Sequence, residues 1–128
     1  DNIPDCILYT TPMNAIRIAL GNGAARFGEF STVVENVVVS QPEHIQVVDF
    51  DGDGINDIAE MADLNSELHF FKGKGNGKFL PGTTLLDLPR EATFKFGDFN
   101  GDGKLDIVYS NPKLNVVTIY FVNRSKKH

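Results

Sequence analysis

Tryptophan is absent from this 128-residue sequence, cysteine occurs once and methionine twice. A lone Cys6 cannot close an internal disulfide or build a cysteine zinc site, so cysteine usage leaves the redox compartment open. Positive charge is scarce: twelve Lys and Arg stand against seventeen Asp and Glu, a net charge of −5. The only basic cluster, Arg124, Lys126 and Lys127, lacks the breadth that phosphate binding requires, and nucleic acid is not expected as a partner. No apolar run approaches the ~18 residues of a membrane-crossing helix, so direct membrane insertion is not expected either. The remainder, 41% hydrophobic and 23% charged, has the composition of one ordinary soluble domain. The opening Asp1-Asn2-Ile3-Pro4-Asp5 reads as the interior of a longer polypeptide.

Self-similarity dominates what is present. Asp49-Phe50-Asp51-Gly52-Asp53-Gly54-Ile55-Asn56-Asp57-Ile58 returns 49 residues later as Asp98-Phe99-Asn100-Gly101-Asp102-Gly103-Lys104-Leu105-Asp106-Ile107. A damaged copy lies at the start, where a shift of 52 residues places Asp1, Ile3 and Asp5 on Asp53, Ile55 and Asp57. The same shift lays Gly21, Gly23 and Phe27 on Gly73, Gly75 and Phe79. About two and a half units result, expected as residues 1–44 lacking a first strand, 45–92 complete, and 93–128 lacking a last strand.

Each unit reads as short strands. Segments 45–49 and 93–97 run into the acidic loops, and 57–61 and 106–110 leave them. Segments 15–20, 67–72 and 116–121 follow, rich in β-branched and aromatic residues. Fourth strands are expected at 32–39 and 83–88, after glycine turns. Four short antiparallel strands per ~50 residues is the spacing of a β-propeller blade. The fold class is therefore all-β, with four-stranded antiparallel blades in an incomplete ring. Only 58–68 tolerates a helical alternative.

The acidic loops carry the chemistry. Oxygen-bearing side chains stand at positions 1, 3, 5 and 9, a glycine at 6 permits a sharp turn, and position 7 can offer its carbonyl. Calcium takes 6 to 8 oxygens, and alternate residues of a tight loop can supply them. The first site would use Asp49, Asp51, Asp53, the carbonyl of Ile55 and Asp57; the second Asp98, Asn100, Asp102, the carbonyl of Lys104 and Asp106. Crowded carboxylates repel unless a cation sits among them. Magnesium prefers a rigid octahedron, and transition metals would want His or Cys. One carboxylate fewer predicts weaker binding at the second site. Asp-Gly pairs also make metal-free hairpin turns, but turn chemistry does not ask for four donor positions to recur together. An EF-hand would use Glu60 at position 12, yet the second copy has Tyr109 there and strand-like flanks.

In these motifs the sequence resembles the FG-GAP or VCBS repeat family, whose blades carry a DxDxDGxxD calcium loop between two strands and a glycine-containing turn later. The resemblance spans nearly the whole chain and is sharpest at 49–57 and 98–106. It implies a β-propeller, calcium at the blade hairpins, and adhesion, ligand recognition or an accessory role, without catalysis. Propellers close with typically 4 to 8 blades, so the ring would be completed by the rest of a longer polypeptide or by neighbouring subunits.

The other features carry less. His44, His69 and His128 have no nucleophile at a diagnostic spacing. Gly73 to Lys78 hints at a phosphate cradle, but Phe79 replaces the hydroxyl residue of a P-loop. Phe50, Phe70, Phe71, Phe79, Phe94, Phe96 and Phe99 read most simply as packing between blades, with a sugar platform open to any exposed few. Asn123-Arg124-Ser125 is a glycosylation sequon compatible with secretion. The expectation is a non-enzymatic, Ca2+-stabilised extracellular or cell-surface segment with a protein or carbohydrate ligand. The alternative is the accessory propeller portion of a secreted enzyme whose active site lies outside this chain.

Overall fold

Short runs of β-branched and aromatic residues, broken by Asp-Gly and Asn-Gly turns, leave the chain little choice but hairpins. In the computed structural model, which describes residues 2–11, 13–35 and 44–122, the described residues contain no α-helix. Twelve strands follow in order: β1 Cys6–Thr10, β2 Ala15–Ala19, β3 Ser31–Val34, β4 Ile45–Val48, β5 Asp57–Ala62, β6 Glu67–Phe71, β7 Gly73–Gly75, β8 Lys78–Phe79, β9 Thr83–Asp87, β10 Phe94–Gly97, β11 Asp106–Asn111 and β12 Val116–Tyr120. They form antiparallel sheets ordered β1-β2-β3, β4-β5-β6-β9 and β10-β11-β12, with β7-β8 a small separate hairpin. Among the described residues, no helix is long and apolar enough to cross a membrane.

The sheets repeat in register as well as in order. Ile58 faces Phe71 across β5-β6, and its equivalents Cys6 and Ile107 face Ala19 and Tyr120. Even an irregularity is copied: the register shifts between Leu68 and His69 where β6 meets β9, and between Ile16 and Arg17 where β2 meets β3. The tolerated helix over 58–68 is instead β5, a turn and the start of β6. Of the strand expected at 32–39, residues 31–34 pair with β2, and 36–43 lie outside the described residues, as do the sequon, the basic cluster and His128.

The middle sheet uses both faces. Strand period two sends Ala59 and Met61 of β5, with Leu68 of β6, against Phe94 and Ile107 of the third sheet. The opposite face carries Ile58 and Phe71, which pack with Ile16 of β2 and the flanking Ile7, Tyr9 and Val33. Every residue of β5 is therefore buried, a pattern expected only of a strand covered on both sides. An aromatic chain ties the second sheet to the third: Phe50 lies 5.2 Å from Phe70 and 5.3 Å from Phe96, and Phe96 lies 5.8 Å from Phe94, ring centre to ring centre.

Of the seven phenylalanines read mainly as packing between blades, Phe99 is the exposed one. Phe50 is 6% exposed, whereas Phe99, its counterpart one repeat later, is 45% exposed. Phe50 is covered by the third sheet, and among the described residues no further sheet lies beyond to cover Phe99. Val117 and Ile119 of β12 are exposed for the same reason, although Leu68, the equivalent of Val117, is fully buried.

Candidate metal centre

Both acidic loops bridge the first two strands of their sheets, 49–56 between β4 and β5 and 98–105 between β10 and β11. Their backbones coil alike because the glycines at positions 4 and 6 take left-handed angles: φ is 77° at Gly52 and 85° at Gly54, 77° at Gly101 and 79° at Gly103. Nothing lies within 4 Å of where a Cβ would sit on any of the four. Backbone conformation, not space, asks for glycine there.

The coil turns its amides inward onto the first aspartate. Asp49 Oδ1 accepts from the amides of Gly52 (2.9 Å) and Asp53 (3.1 Å), and Oδ2 accepts from Gly54 at 2.8 Å. Asp98 repeats this with Gly101 (2.7 Å), Asp102 (3.1 Å) and Gly103 (2.8 Å). The Gly103 amide, followed by those of Gly101 and Asp102, holds the Asp98 carboxyl below the usual carboxylate range. Position 3 closes onto position 5 in both copies, Asp51 accepting from the Asp53 amide at 3.3 Å and Asn100 from that of Asp102 at 2.9 Å. Asp53 and Asp102 accept in turn from the amides of Ile55 and Lys104, each at 2.9 Å. Inward amide dipoles thus offset part of the repulsion among these carboxylates.

Carboxylate oxygens of Asp49, Asp51 and Asp57 lie within 4.8 Å of one another. Two ligands of one calcium ion at 2.3 to 2.6 Å can be no more than about 5 Å apart, so this donor set fits a shared hard cation. Asp53, expected as a fourth ligand, is outside that triad. It is engaged instead by Lys72, whose Nζ donates to Asp53 Oδ2 at 2.6 Å and also to Asp51 Oδ2. The second loop has Asn100 in place of Asp51, so its counterpart of the triad carries two carboxylates, Asp98 and Asp106, and one amide oxygen. Ile55 and Lys104 lie within their loops, half-buried. Lys104 Nζ stands 3.9 Å from Asp102 Oδ2, beyond hydrogen-bonding reach.

Position 9 does more than the sequence reveals. Asp57 is fully buried; Oδ2 accepts from the Phe50 amide at 3.0 Å and Oδ1 from the Gly73 amide at 2.8 Å, sixteen residues on. Asp106 binds Phe99 and Val122 in the same way, at 3.1 and 3.2 Å, and Asp5 binds the Gly21 amide at 2.9 Å. These aspartates fasten each loop to the residue that follows the sheet's next-but-one strand. The signal was available in the sequence as the constant spacing of Asp to Gly in the first two units.

A second cluster lies outside the loops. Glu60, fully buried on β5, places Oε2 3.1 Å from His69 Nδ1, and His69 Nε2 lies 2.9 Å from Glu67 Oε2. Burial raises the Glu60 carboxyl to about 7, with Asp63 adding to the rise and His69 opposing it. Glu60, position 12 by EF-hand counting, is a strand residue whose carboxyl engages His69. His44, also buried, places Nδ1 3.2 Å from Asp63. His69 is thus a strand histidine of β6, and His44 is buried just ahead of β4.

Residues 49–109 match the FG-GAP-like repeat family. This span begins at the first loop's Asp49, takes in the whole second loop and ends within β11. No curated protein and no solved structure matches the chain.

Proposed function

From a chain whose residues 49–109 belong to the FG-GAP-like repeat family, we propose a non-enzymatic, calcium-stabilised segment of β-propeller blades that acts as an adhesion, ligand-recognition or assembly module at the cell surface or outside the cell. The blades are residues 1–44, 45–92 and 93–128, each centred on one of the three larger sheets. The observation that carries this reading is the repetition of one loop conformation at 49–57 and 98–106, with oxygens of Asp49, Asp51 and Asp57 gathered within 4.8 Å.

Asp49, Asp51, Asp57 and the Ile55 carbonyl would hold the ion in the first loop, and Asp98, Asn100, Asp102, Asp106 and the Lys104 carbonyl in the second. The ion supplies positive charge where carboxylates crowd and stabilises the folded state by binding it in preference to the unfolded chain. The protein's part is positioning: left-handed glycines coil the loop, inward amides fix the first aspartate, and the buried position-9 aspartate anchors the coil to the sheet. Rigid hairpins then present the connecting loops to a protein or carbohydrate ligand. Exposed Phe99, Val117 and Ile119 supply an apolar face for the next blade, from the same polypeptide or a neighbouring subunit.

The test is thermal melting of the chain with excess calcium and with chelator, alongside calorimetric titration. A higher midpoint in calcium, lost when Asp49 and Asp98 are both replaced by Ala, is the expected result; identical midpoints with no binding heat would remove calcium from the proposal.

A further inference from the structure

Two loops with one backbone conformation differ in what faces their carboxylates. In the first, the Lys72 ammonium bonds Asp51 Oδ2 and Asp53 Oδ2 together. Lys72 is the residue just after β6, next to the Gly73 whose amide binds Asp57. The corresponding residue just after β12 is Phe121, next to the Val122 that binds Asp106. After β2 it is Leu20, next to the Gly21 that binds Asp5. A cation reaches the loop from this place in the middle unit only.

We propose that Lys72 is the first loop's own counter-cation: its ammonium neutralises the Asp51–Asp53 edge and must be displaced before a divalent ion can use Asp51. This rests on the calcium reading for its consequence, which is that the second loop, not the first, binds calcium more tightly. Counting carboxylates ranks the loops the other way. The count is misleading because one of the first loop's four acids, Asp53, is committed to Lys72, and the shared Asp51 has to exchange one cation for another. The second loop is one acid short but carries no competing ammonium across two carboxylates, since Lys104 approaches Asp102 alone, at 3.9 Å.

Both residues are open to substitution without disturbing the core, for Lys72 is about a third exposed and Phe121 about half. Calorimetric titration of the full chain with calcium chloride, with the second loop silenced by Asp102→Ala, isolates the first loop. Adding Lys72→Met there is expected to tighten calcium binding about five- to thirtyfold, the scale of losing two partly exposed ion pairs. The reciprocal graft, Phe121→Lys with the first loop silenced by Asp51→Ala, should weaken the second loop by a smaller factor, about two- to fivefold, because Asn100 leaves Asp102 as the one carboxylate on that edge. Unchanged or weaker binding in the Lys72→Met chain overturns the proposal. If no variant binds calcium at all, the calcium reading fails by itself, and melting in chelator decides the rest. A lower midpoint for Lys72→Met than for the parent keeps Lys72 as the loop's cation, and an equal midpoint removes it.

Discussion

Asp57 Oδ1 accepts the Gly73 amide at 2.8 Å across sixteen residues of chain, and the Asp57 side chain is fully buried at the joint. The same carboxylate accepts the Phe50 amide through its other oxygen. It therefore has two roles, closing the loop on itself and fixing that loop to the hairpin beyond β6.

Asp57→Ala leaves two inward amides without acceptors, and an unsatisfied buried donor costs about 1–3 kcal/mol. A loss of about 2–5 kcal/mol is expected in urea unfolding, in chelator as well as in calcium. Asp57→Asn, which keeps one acceptor, should lose about half as much. A loss seen only in calcium would make this residue a ligand and nothing else.

Gly73 and Gly54 separate two reasons for glycine. A Cβ on Gly73 would overlap the Asn56 carbonyl oxygen, whereas one on Gly54 meets nothing but sits at φ 85°. Gly73→Ala should cost about 2 kcal/mol or more, because the joint with Asp57 must open. Gly54→Ala should cost about 1 kcal/mol, the strain of a left-handed alanine. The third unit carries Val122 here, and its amide lies further from Asp106, at 3.2 Å.

Glu60 should impose a pH dependence on stability. Its ordinary value of 4.5 is raised to about 7 in the folded chain, first by burial and then by Asp63, against the pull of His69. Folding thus favours the protonated acid: the contribution is fully present below pH 4.5 and lost as pH climbs through 7. The loss is on the order of 3 kcal/mol. Denaturation midpoints measured from pH 4 to 8 in chelator should fall across that window for the parent chain relative to Glu60→Gln, and parallel curves would refute the shift.

Phe50 and Phe99 share a repeat position but not an environment. Phe50→Ala removes a buried ring packed on Phe70 and Phe96 and should cost about 3–5 kcal/mol. Phe99→Ala, at an exposed ring, should change stability by no more than about 0.5 kcal/mol. Comparable losses at both positions would mean that something covers Phe99 in solution.

Much of the fold was legible because its signals are local. Strand type follows from β-branched and aromatic runs, loop conformation from glycines at fixed positions, and repetition from simple alignment; Asp49, Asp51 and Asp57 converge because the spacing that placed them in one loop also sets the coil. Lys72 and Glu60 were not legible. Lys72 meets Asp51 and Asp53 only because β5 and β6 pair antiparallel and bring its position back over the loop. Glu60 falls within the strand expected at 57–61, but its environment was hidden: only the burial of β5 between two sheets raises its titration point.

By itself the sequence determined the all-β class, the repeat unit, the coil of each acidic loop and the identity of the oxygens within it. These depend on residues a few positions apart, where backbone preference and spacing suffice. Tertiary structure alone decided which repeated side chains are buried, which loop holds an ammonium and which aspartate is a joint. Those outcomes depend on which sheet lies against which face, and two copies of one motif diverge as soon as their neighbours differ.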